Sequence, residues 1–322
     1  MSPYLERWAN EFRSHVDLVS YDEIFRSTDL PRCVHVFTDI ERLDSEDRER
    51  AAYLWGTLQR QAPEIELLNH PLLAMRRYEL LRTLREAGVN DFDVYRLTEA
   101  RRIRHFPVFV RGENDHKGAE SGLLGSQEEL TAFVRSLVAA GKSRDTRIAV
   151  EFYASKSQED GLYRKYAAFY LAGVVIPRHL FIGPHWMVKD ETRIRDEAKL
   201  AEEWRYCDEH PHAAWIASVF KLANIDYGRI DFGIVDGKPQ VFEINTNPTI
   251  VPGKMTQLTP NNARFIAALT AAYAAMEQRN GGAKRMGDLP RIPLDPPLKS
   301  RKGRLVSRAL AFAVRRQFRP LV

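Results

Sequence analysis

One segment constrains the fold of this chain more than any other: Tyr227–Pro248, with the sequence YGRIDFGIVDGKPQVFEINTNP. Apolar residues crowd Arg229–Val235, and a second β-rich run returns over Pro239–Asn245. Between the two runs, Asp236 and Gly237 supply a turn. Two such runs joined by an Asp-Gly pair predict a β-hairpin.

Three oxygen-bearing side chains of this hairpin are candidate metal ligands. Asp231 lies on the outgoing strand, while Glu243 and Asn245 lie two residues apart on the return strand and project from one face. Two carboxylates and an amide oxygen suit Mg²⁺, which takes oxygen ligands at about 2.0–2.1 Å and keeps other positions for water or phosphate. The alternative is a surface hairpin with solvated acids. We favour the metal site because Glu243 lies between Phe242 and Ile244, where an unpaired carboxylate would be costly.

The sequences RIDFG and DGKPQVFEINTNP resemble the end of the catalytic domain of ATP-grasp enzymes. This resemblance implies that Asp231, Glu243 and Asn245 hold magnesium ions that bridge the phosphates of ATP, so that ATP and Mg²⁺ are the cofactors. It also implies an α/β (α+β) fold with a small N-terminal α/β domain, a lid subdomain and a catalytic subdomain built on an antiparallel sheet. We expect these parts at 1–104, 105–153 and 154–278.

Composition sets broader limits. A chain of 322 residues with 44% hydrophobic residues can bury the cores of two or three compact units. No run approaches the length of about 18 apolar residues that spans a bilayer, and the polar N-terminus does not resemble a signal peptide, so we expect a cytoplasmic protein. Cys33 and Cys207 are too few for a disulfide framework or a zinc site.

The net charge of +5 belongs to the C-terminal tail. Residues 299–322 contain eight Lys and Arg residues and no acid, so the rest of the chain gives no support for a nucleic-acid partner. A Pro-rich linker and this tail make up the fourth expected region, 279–322. The tail has the pattern of a basic amphipathic helix, which could contact a membrane surface or a partner protein. The alternative, which we favour, is a helix packed on its own domain or on a twofold mate in a homodimer.

The N-terminal part alternates strand and helix patterns. We expect strands near 33–40 and 65–68, a helix capped by Ser45, and a helix over Leu72–Ala87 with Pro71 in its first turn. Such alternation predicts a small, mostly parallel sheet flanked by helices.

The resemblance also implies which cations contact the ATP phosphates. Arg77 lies nearest to the sequence position at which the family has a phosphate-binding lysine. Arg76 is the alternative. Arg111 ends the predicted strand Phe106–Arg111 where the family has a lysine, and arginine keeps the charge while binding phosphate bidentately. Lys117 lies in the following Gly-containing loop together with His116 and Gly118, where the family's loop folds over the triphosphate. An ordinary hairpin loop with surface charges is the alternative for this segment.

Two β-rich runs over Gly161–Ile182, joined around Gly173, carry further arginines. Arg164 and Arg178 resemble arginines that the family presents toward phosphates or an acidic substrate, and we rank Arg164 first. In a regular strand, Lys165 points away from Arg164. We assign catalytic roles to Arg111, Arg164 and Lys117.

The predicted strand Arg147–Tyr153 corresponds to the segment that contacts adenine in the family. By resemblance, Glu151, Phe152 and Tyr153 would read the base, since a nucleotide base needs apolar walls and a few fixed hydrogen bonds. Glu159 or Asp160 could contact the ribose, and the spacing does not choose between them. After a helical region over 193–223 that is interrupted near Pro211, a helix over Asn261–Glu277 follows the hairpin.

The predicted activity is that of an ATP-dependent carboxylate-amine ligase. A small-molecule or peptide carboxylate would be phosphorylated to an acylphosphate, which an amine or another nucleophile then attacks. Two alternatives stay open. One is an ATP-grasp phosphotransferase that moves phosphate to a hydroxyl or phosphate acceptor. The other, suggested by the arginines Arg77 and Arg111, is an ATP-binding pseudoenzyme that acts through its basic tail.

Overall fold

A computed structural model describes residues 1–115, 117–154, 156–251, 257–282 and 284–294. His116 and the basic tail lie outside these residues, so the predictions made for them are not addressed by the fold. Within the described ranges, no helix combines the length and the apolarity that crossing a membrane requires.

The elements follow one another in mixed order. The strands are β1 (Asp29–Pro31), β2 (His35–Val36), β3 (Leu67–Leu68), β4 (Val94–Arg96), β5 (Val108–Gly112), β6 (Arg147–Glu151), β7 (Tyr163–Leu171), β8 (Val174–Gly183), β9 (Tyr227–Val235), β10 (Lys238–Asn245) and β11 (Arg291–Pro293). The helices are α1 (Ser2–Arg7), α2 (Tyr21–Ile24), α3 (Ser45–Gln61), α4 (Arg77–Glu86), α5 (Gln127–Ala139), α6 (Glu197–Glu209), α7 (Ala213–Ala223) and α8 (Pro260–Arg279).

The largest sheet of the described chain has four antiparallel strands in the order β10-β9-β7-β8. The predicted hairpin forms its β9-β10 half, and Asp236 and Gly237 both have positive φ, as the turn requires. A second antiparallel sheet has the order β4-β6-β5 and carries helix α5. The predicted mixed α/β architecture with a large antiparallel sheet is confirmed.

Helices cover both faces of the large sheet. On one face, Phe232 of β9 packs in a core with Phe220 of α7. On the other, Phe169 of β7 packs against Phe265 of α8, at 5.8 Å between ring centroids. In β7 and β9, the even-numbered residues therefore face α7, and the odd-numbered residues face α8.

The N-terminal part departs from the predicted parallel sheet. β2 and β3 do pair in parallel, but β1 pairs with β11, which lies in the segment predicted as a linker. Helix α3 is capped by Asp44, whose side chain accepts from the N–H of Asp47, and not by Ser45. Helix α4 begins at Arg77 instead of Leu72, so Pro71 is not in its first turn. β4, placed before the boundary at 104, pairs with β6 of the second sheet.

Candidate functional site

The three predicted metal ligands lie on one face of the β9-β10 hairpin. Asp231 and Glu243 are direct register partners, and Asn245 lies opposite Arg229. Asp231 is only 3% exposed and Asn245 only 9%. The amide of Asn245 has a fixed direction, since its Oδ1 accepts from the N–H of Asn247 at 2.8 Å. The hairpin thus presents two carboxylates and an amide oxygen to one protected place.

A β-bulge brings Glu243 to this face. Val241 pairs with Phe232 and Glu243 pairs with Asp231, so Phe242 is an extra residue between them. The ring of Phe242 lies over Gly233, where an added Cβ would approach Cζ of Phe242 to 2.6 Å. Because a side chain at 233 would displace this ring, the glycine is part of the bulge geometry.

Two arginines from outside the hairpin bind Glu243. Its Oε2 accepts from Arg77 at 2.8 Å and from Arg111 at 3.0 Å. Arg77 starts helix α4, and Arg111 lies in β5 of the second sheet. These contacts therefore connect the hairpin with two other parts of the fold.

Arg77 also fixes the chain that leaves β5. One guanidinium nitrogen, Nη1, donates to the carbonyl oxygens of Gly112, Glu113 and Asp115 at 3.2, 2.9 and 3.0 Å. Arg77 is buried, and its other terminal nitrogen binds Glu243. It thus holds the start of the predicted phosphate loop against the carboxylate.

Two further cations face Asp231. Arg229, two residues earlier in β9, donates from Nε to Oδ1 at 2.8 Å. Lys165 of β7 places its Nζ 3.6 Å from Oδ2, and its side chain is 25% exposed. It also lies over the ring of Phe181, at 5.6 Å from the centroid. Lys165 therefore reaches the site from a neighbouring strand and remains accessible to a ligand.

The site carries more positive than negative charge. Two carboxylates face four cations, Arg77, Arg111, Lys165 and Arg229. Burial opposes ionisation of Glu243, but Arg111, Arg77, Arg229 and Lys165 outweigh it and hold the pKa of this carboxyl well below its usual range. Burial also lowers the pKa of Arg111, which signals the cost of keeping this guanidinium charged. An anionic ligand would relieve the surplus of positive charge.

These residues fit Mg²⁺ only together with an anion. A bare cation would meet four positive side chains. In the described ranges, no three imidazole, thiolate or carboxylate side chains come together as metal ligands. Mg²⁺ is commonly held by one or two carboxylates and by phosphate oxygens of a substrate. The donor set of Asp231, Glu243 and Asn245 therefore fits a magnesium–polyphosphate complex, with the cations facing the phosphates.

The fold does not bring Arg164 to this place. Its guanidinium binds Glu202 of α6 at 2.5 and 2.9 Å and Asp160 at 2.8 and 3.1 Å. Since Lys165 faces Asp231, the neighbouring Arg164 points to the opposite face of β7. Asp160, one of the two residues considered for the ribose, belongs to this cluster and also contacts Lys199.

Arg178 lies in the protein interior. It donates to Asn262 Oδ1 at 2.8 Å and to the carbonyl of Ile250 at 3.2 Å, and stacks on Phe265 at 4.5 Å. Burial, followed by the charge of Arg229, lowers its pKa to about 10. Its contacts connect β8 with α8.

The remaining predicted residues are spread over the loop and the end of β6. Lys117 is exposed, and its backbone N–H donates to Asp115 at 3.2 Å. The carboxylate of Glu151 accepts from the N–H of Asp93 at 2.9 Å and from the hydroxyl of Tyr95 at 3.3 Å. These hydrogen bonds connect the end of β6 with β4 in the same sheet.

Aromatic rings surround the end of β6. Phe152 lies 5.7 Å from Trp186 between ring centroids, and Trp186 lies 4.9 Å from Phe109. Tyr153 stacks with Phe92 at 6.3 Å. These rings form apolar surface next to the strand that the resemblance links to adenine.

Sequence reasoning missed Lys165 and Arg229 as members of the site. A signal for Arg229 was present, because it lies two residues before Asp231 and must share its face in a strand. For Lys165 the signal was incomplete. Its opposition to Arg164 was predicted, but which of the two faces Asp231 depends on the pairing of Ala167 with Asp231.

Comparisons with known proteins give the following similarities. No protein-family model matches the chain, and no curated protein sequence matches it. Among solved structures, D-alanine–D-alanine ligase from Bacillus anthracis complexed with ATP is 16% identical, with a TM-score of 0.42 over 73% of this chain and 79% of that one. The corresponding ligase from Coxiella burnetii is 15% identical, with a TM-score of 0.41 over 88% and 79%.

A third similar structure is the ATP-grasp ligase PsnB complexed with a minimal precursor. It is 13% identical, with a TM-score of 0.41 over 66% of this chain and 65% of that one. These similarities concern the fold and carry no information about substrates.

Proposed function

We propose that the protein is a Mg·ATP-dependent ligase that activates a substrate carboxylate as an acylphosphate. One observation carries the proposal: the buried Asp231 and the partly buried Glu243 are surrounded by four cations that come from four separate elements. A structural ion pair needs no such surplus. Polyphosphate held with Mg²⁺ supplies the missing negative charge and fills the remaining coordination positions of the metal.

Each side chain has a role in this proposal. Asp231, Glu243 and Asn245 would hold Mg²⁺, which supplies charge neutralisation at the β- and γ-phosphates when bound. Lys165 and Arg229 would contact phosphate oxygens from the sheet, and Arg111 would do so from β5. Arg77 would act as a positioning residue, because its Nη1 donates to three carbonyl oxygens of residues 112–115.

Lys117 and the aromatic residues complete the proposed nucleotide site. The exposed Lys117 would reach the triphosphate from the loop after β5. Phe152 and Tyr153, with backbone groups at the end of β6, would hold adenine, and the apolar surface near Trp186 supports this role. For Glu151 we propose a positioning role, since its carboxylate is bound by Asp93 and Tyr95.

The proposed reaction has two steps. A carboxylate oxygen of the substrate attacks the γ-phosphorus, the bond to the β,γ-bridging oxygen breaks, and ADP leaves. An amine then attacks the acyl carbon, the bond from that carbon to the phosphate oxygen breaks, and phosphate and a proton are released. The cations of the site stabilise the negative charge that moves onto the phosphate oxygens in the first step.

Positional isotope exchange tests the first step without knowledge of the nucleophile. ATP labelled with ¹⁸O in the β,γ-bridge is incubated with the protein, Mg²⁺ and a panel of amino acids and short peptides. Reversible acylphosphate formation moves the label into the non-bridging positions of the β-phosphate. Bound ATP whose label stays in the bridge with every acid, and which is not hydrolysed, would contradict the proposal.

A second candidate, nucleotide binding without turnover, is favoured by the contacts of Glu243. Arg77 and Arg111 bind the same oxygen of this carboxylate, which competes with metal coordination. Equal affinity for ATP with and without Mg²⁺ would support this candidate. A kinase would instead show ADP and a phosphorylated acceptor without free phosphate.

A further inference from the structure

His179 of β8 lies on the same face of the large sheet as the candidate site. In the strand register His179 pairs with Ala167, and Ala167 pairs with Asp231. Direct partners on neighbouring antiparallel strands project to the same side of a sheet. Arg178 is an extra residue in β8 before this pair, so the imidazole and not the guanidinium stands opposite Ala167.

One nitrogen of this imidazole is buried without a partner. His179 is only 7% exposed, and its ring stacks on that of Phe181 at 3.8 Å between centroids. Its Nε2 makes no hydrogen bond to any residue that the structure describes. A buried polar atom without a partner is unfavourable, so its presence beside a candidate site calls for an explanation.

The surroundings of His179 keep the imidazole neutral. Burial is the main reason that its pKa lies well below the usual range, and neighbouring positive charges act in the same direction; they belong to Arg178, Arg229, Lys165 and Arg193. A neutral imidazole has one nitrogen that donates and one that accepts. Lysine and arginine side chains only donate, so an accepting Nε2 is the form that suits these neighbours.

Lys165 is the neighbour that is free to approach this nitrogen. The three guanidinium groups are each held by a hydrogen bond of 2.8 or 2.9 Å to another side chain: Arg229 to Asp231, Arg178 to Asn262 and Arg193 to Glu203. The ammonium of Lys165 lies 3.6 Å from Asp231, farther than a hydrogen bond.

The register places Lys165 within reach of His179. Lys165 pairs with Phe181, two residues along β8 from His179, so the two side chains are diagonal neighbours on one face. Diagonal neighbours in an antiparallel sheet are about 7–8 Å apart, a distance that long side chains span.

We propose that Nε2 of His179 accepts a hydrogen bond from the Lys165 ammonium when a magnesium–polyphosphate complex occupies the site. His179 is then a positioning residue for this cation. The inference rests on the proposed function: once Asp231 ligates a metal, the like charge of the metal drives the ammonium from this carboxylate. Because an ammonium has three donors, Lys165 can contact His179 and a phosphate oxygen together.

The first test is a double-mutant cycle on the affinity for Mg·AMP-PNP, measured by calorimetry. His179→Leu removes the acceptor and should weaken binding about five- to tenfold, whereas His179→Gln offers an oxygen acceptor and should stay within about twofold of the unmodified protein. In a Lys165→Met background, His179→Leu should have no further effect, because the donor is absent.

His70 supplies the matched control. It is 8% exposed, and its Nε2 likewise lacks a partner within the described ranges, but its ring lies beside Trp55, at 4.9 Å between centroids. His70→Leu should therefore leave the affinity for Mg·AMP-PNP unchanged.

Nitrogen-15 NMR of the unmodified protein gives a readout that needs no stable leucine variant. The signals of His179 are assigned by their loss in His179→Gln. In the complex with Mg·AMP-PNP, Nε2 should give the signal of an unprotonated nitrogen, with the proton on Nδ1.

The outcomes separate this inference from the proposed function. Additive effects of His179→Leu and Lys165→Met would overturn it, because His179 would then act independently of Lys165. A protonated Nε2 in the complex, or an equal loss of affinity in His70→Leu, would also overturn it. An unmodified protein that does not bind Mg·AMP-PNP would instead remove the proposed function, and the inference with it.

Discussion

The two sides of strand β7 carry charge clusters of different character. On one side, Arg164 and Lys199 meet Asp160 and Glu202, so two cations face two carboxylates. On the other side, Lys165 is one of four cations that form ion pairs with the two carboxylates Asp231 and Glu243. The first cluster is balanced within the protein, and the second is not.

We propose that this difference separates a structural cluster from a ligand site. The hydrogen bonds that Arg164 donates to Asp160 hold the pKa of this carboxyl well below its usual range. Those that it donates to Glu202 and Asp160 raise the pKa of Arg164 itself, so each group stabilises its partners. In the other cluster the cations exceed the acids, and their mutual repulsion is compensated when an anion binds. Under this proposal, Arg164 stabilises the fold, whereas the neighbouring Lys165 contacts a ligand.

The largest expected effect follows from removing one acid of the unbalanced cluster. Glu243→Gln keeps the shape of the side chain but takes away a charge that, under the proposed function, faces the metal and contributes several kcal/mol to the transition state. ATP-dependent turnover should therefore fall about a thousandfold. Affinity for the nucleotide without Mg²⁺ should be retained or increase, because Arg77 and Arg111 lose their carboxylate partner. Isotope exchange measures the first effect and calorimetry the second.

Glu202→Gln on the balanced side is the matched control for this prediction. It also removes a carboxylate that contacts an arginine, but it should leave turnover unchanged. Turnover lost equally in both variants would remove the distinction between the two clusters.

Replacing Lys165 tests the most accessible side of the unbalanced cluster, since this lysine is one of its four cations and is partly exposed. Under the proposed function, Lys165→Met removes a charge-assisted contact to phosphate worth about 1.5–3 kcal/mol, so affinity for Mg·AMP-PNP should fall about ten- to a hundredfold. Stability should change little, since the Lys165 side chain is partly exposed and its distance to Asp231 is long. Unchanged affinity for the nucleotide would show that Lys165 does not face the phosphates.

Replacing Arg164 should give the reverse result. Arg164→Met leaves Asp160 and Glu202 without this partner and should lower the free energy of unfolding by about 1–3 kcal/mol. Nucleotide affinity should not change, because the side chain points to α6. Urea titration measures the first effect, and a large loss of AMP-PNP binding with unchanged stability would contradict the placement of Arg164.

The smallest expected effect concerns the pH dependence of stability. The lowered pKa of Asp160 contributes stability above the unfolded value of about 3.9, and this contribution is lost as the pH falls through that value toward the folded one. In Arg164→Met the pKa of Asp160 returns toward its usual range. The stability difference between the two proteins should therefore be present at pH 6 and shrink toward pH 3. A difference that stays constant over this range would show that Asp160 is not stabilised by Arg164.

Local sequence patterns predicted the elements that local interactions determine. The Asp236-Gly237 turn and the two strands beside it are present, and helices α6 and α7 are separated at Pro211 as expected. The alternation of side chains in β10 placed Glu243 and Asn245 on one face, because a strand has a period of two.

Long-range pairing decided what the sequence could not show. The choice between Arg164 and Lys165 depends on the register between β7 and β9, and the pairing of β1 with β11 joins distant parts of the described chain. The hydrogen bond from Asn90 to Val241 has no local signal, since the two residues are 151 positions apart. Such contacts follow from packing of whole elements, which single-sequence periodicity does not encode.

A crystal structure of the protein with AMP-PNP and Mg²⁺ tests the central claim most directly. We predict a metal ion about 2.0–2.1 Å from oxygens of Asp231 and Glu243 and from phosphate oxygens, as expected for Mg²⁺. Lys165 and Arg229 should contact the phosphates. Phosphates bound elsewhere, with Glu243 still paired to Arg77 and Arg111 and no metal beside it, would contradict the account.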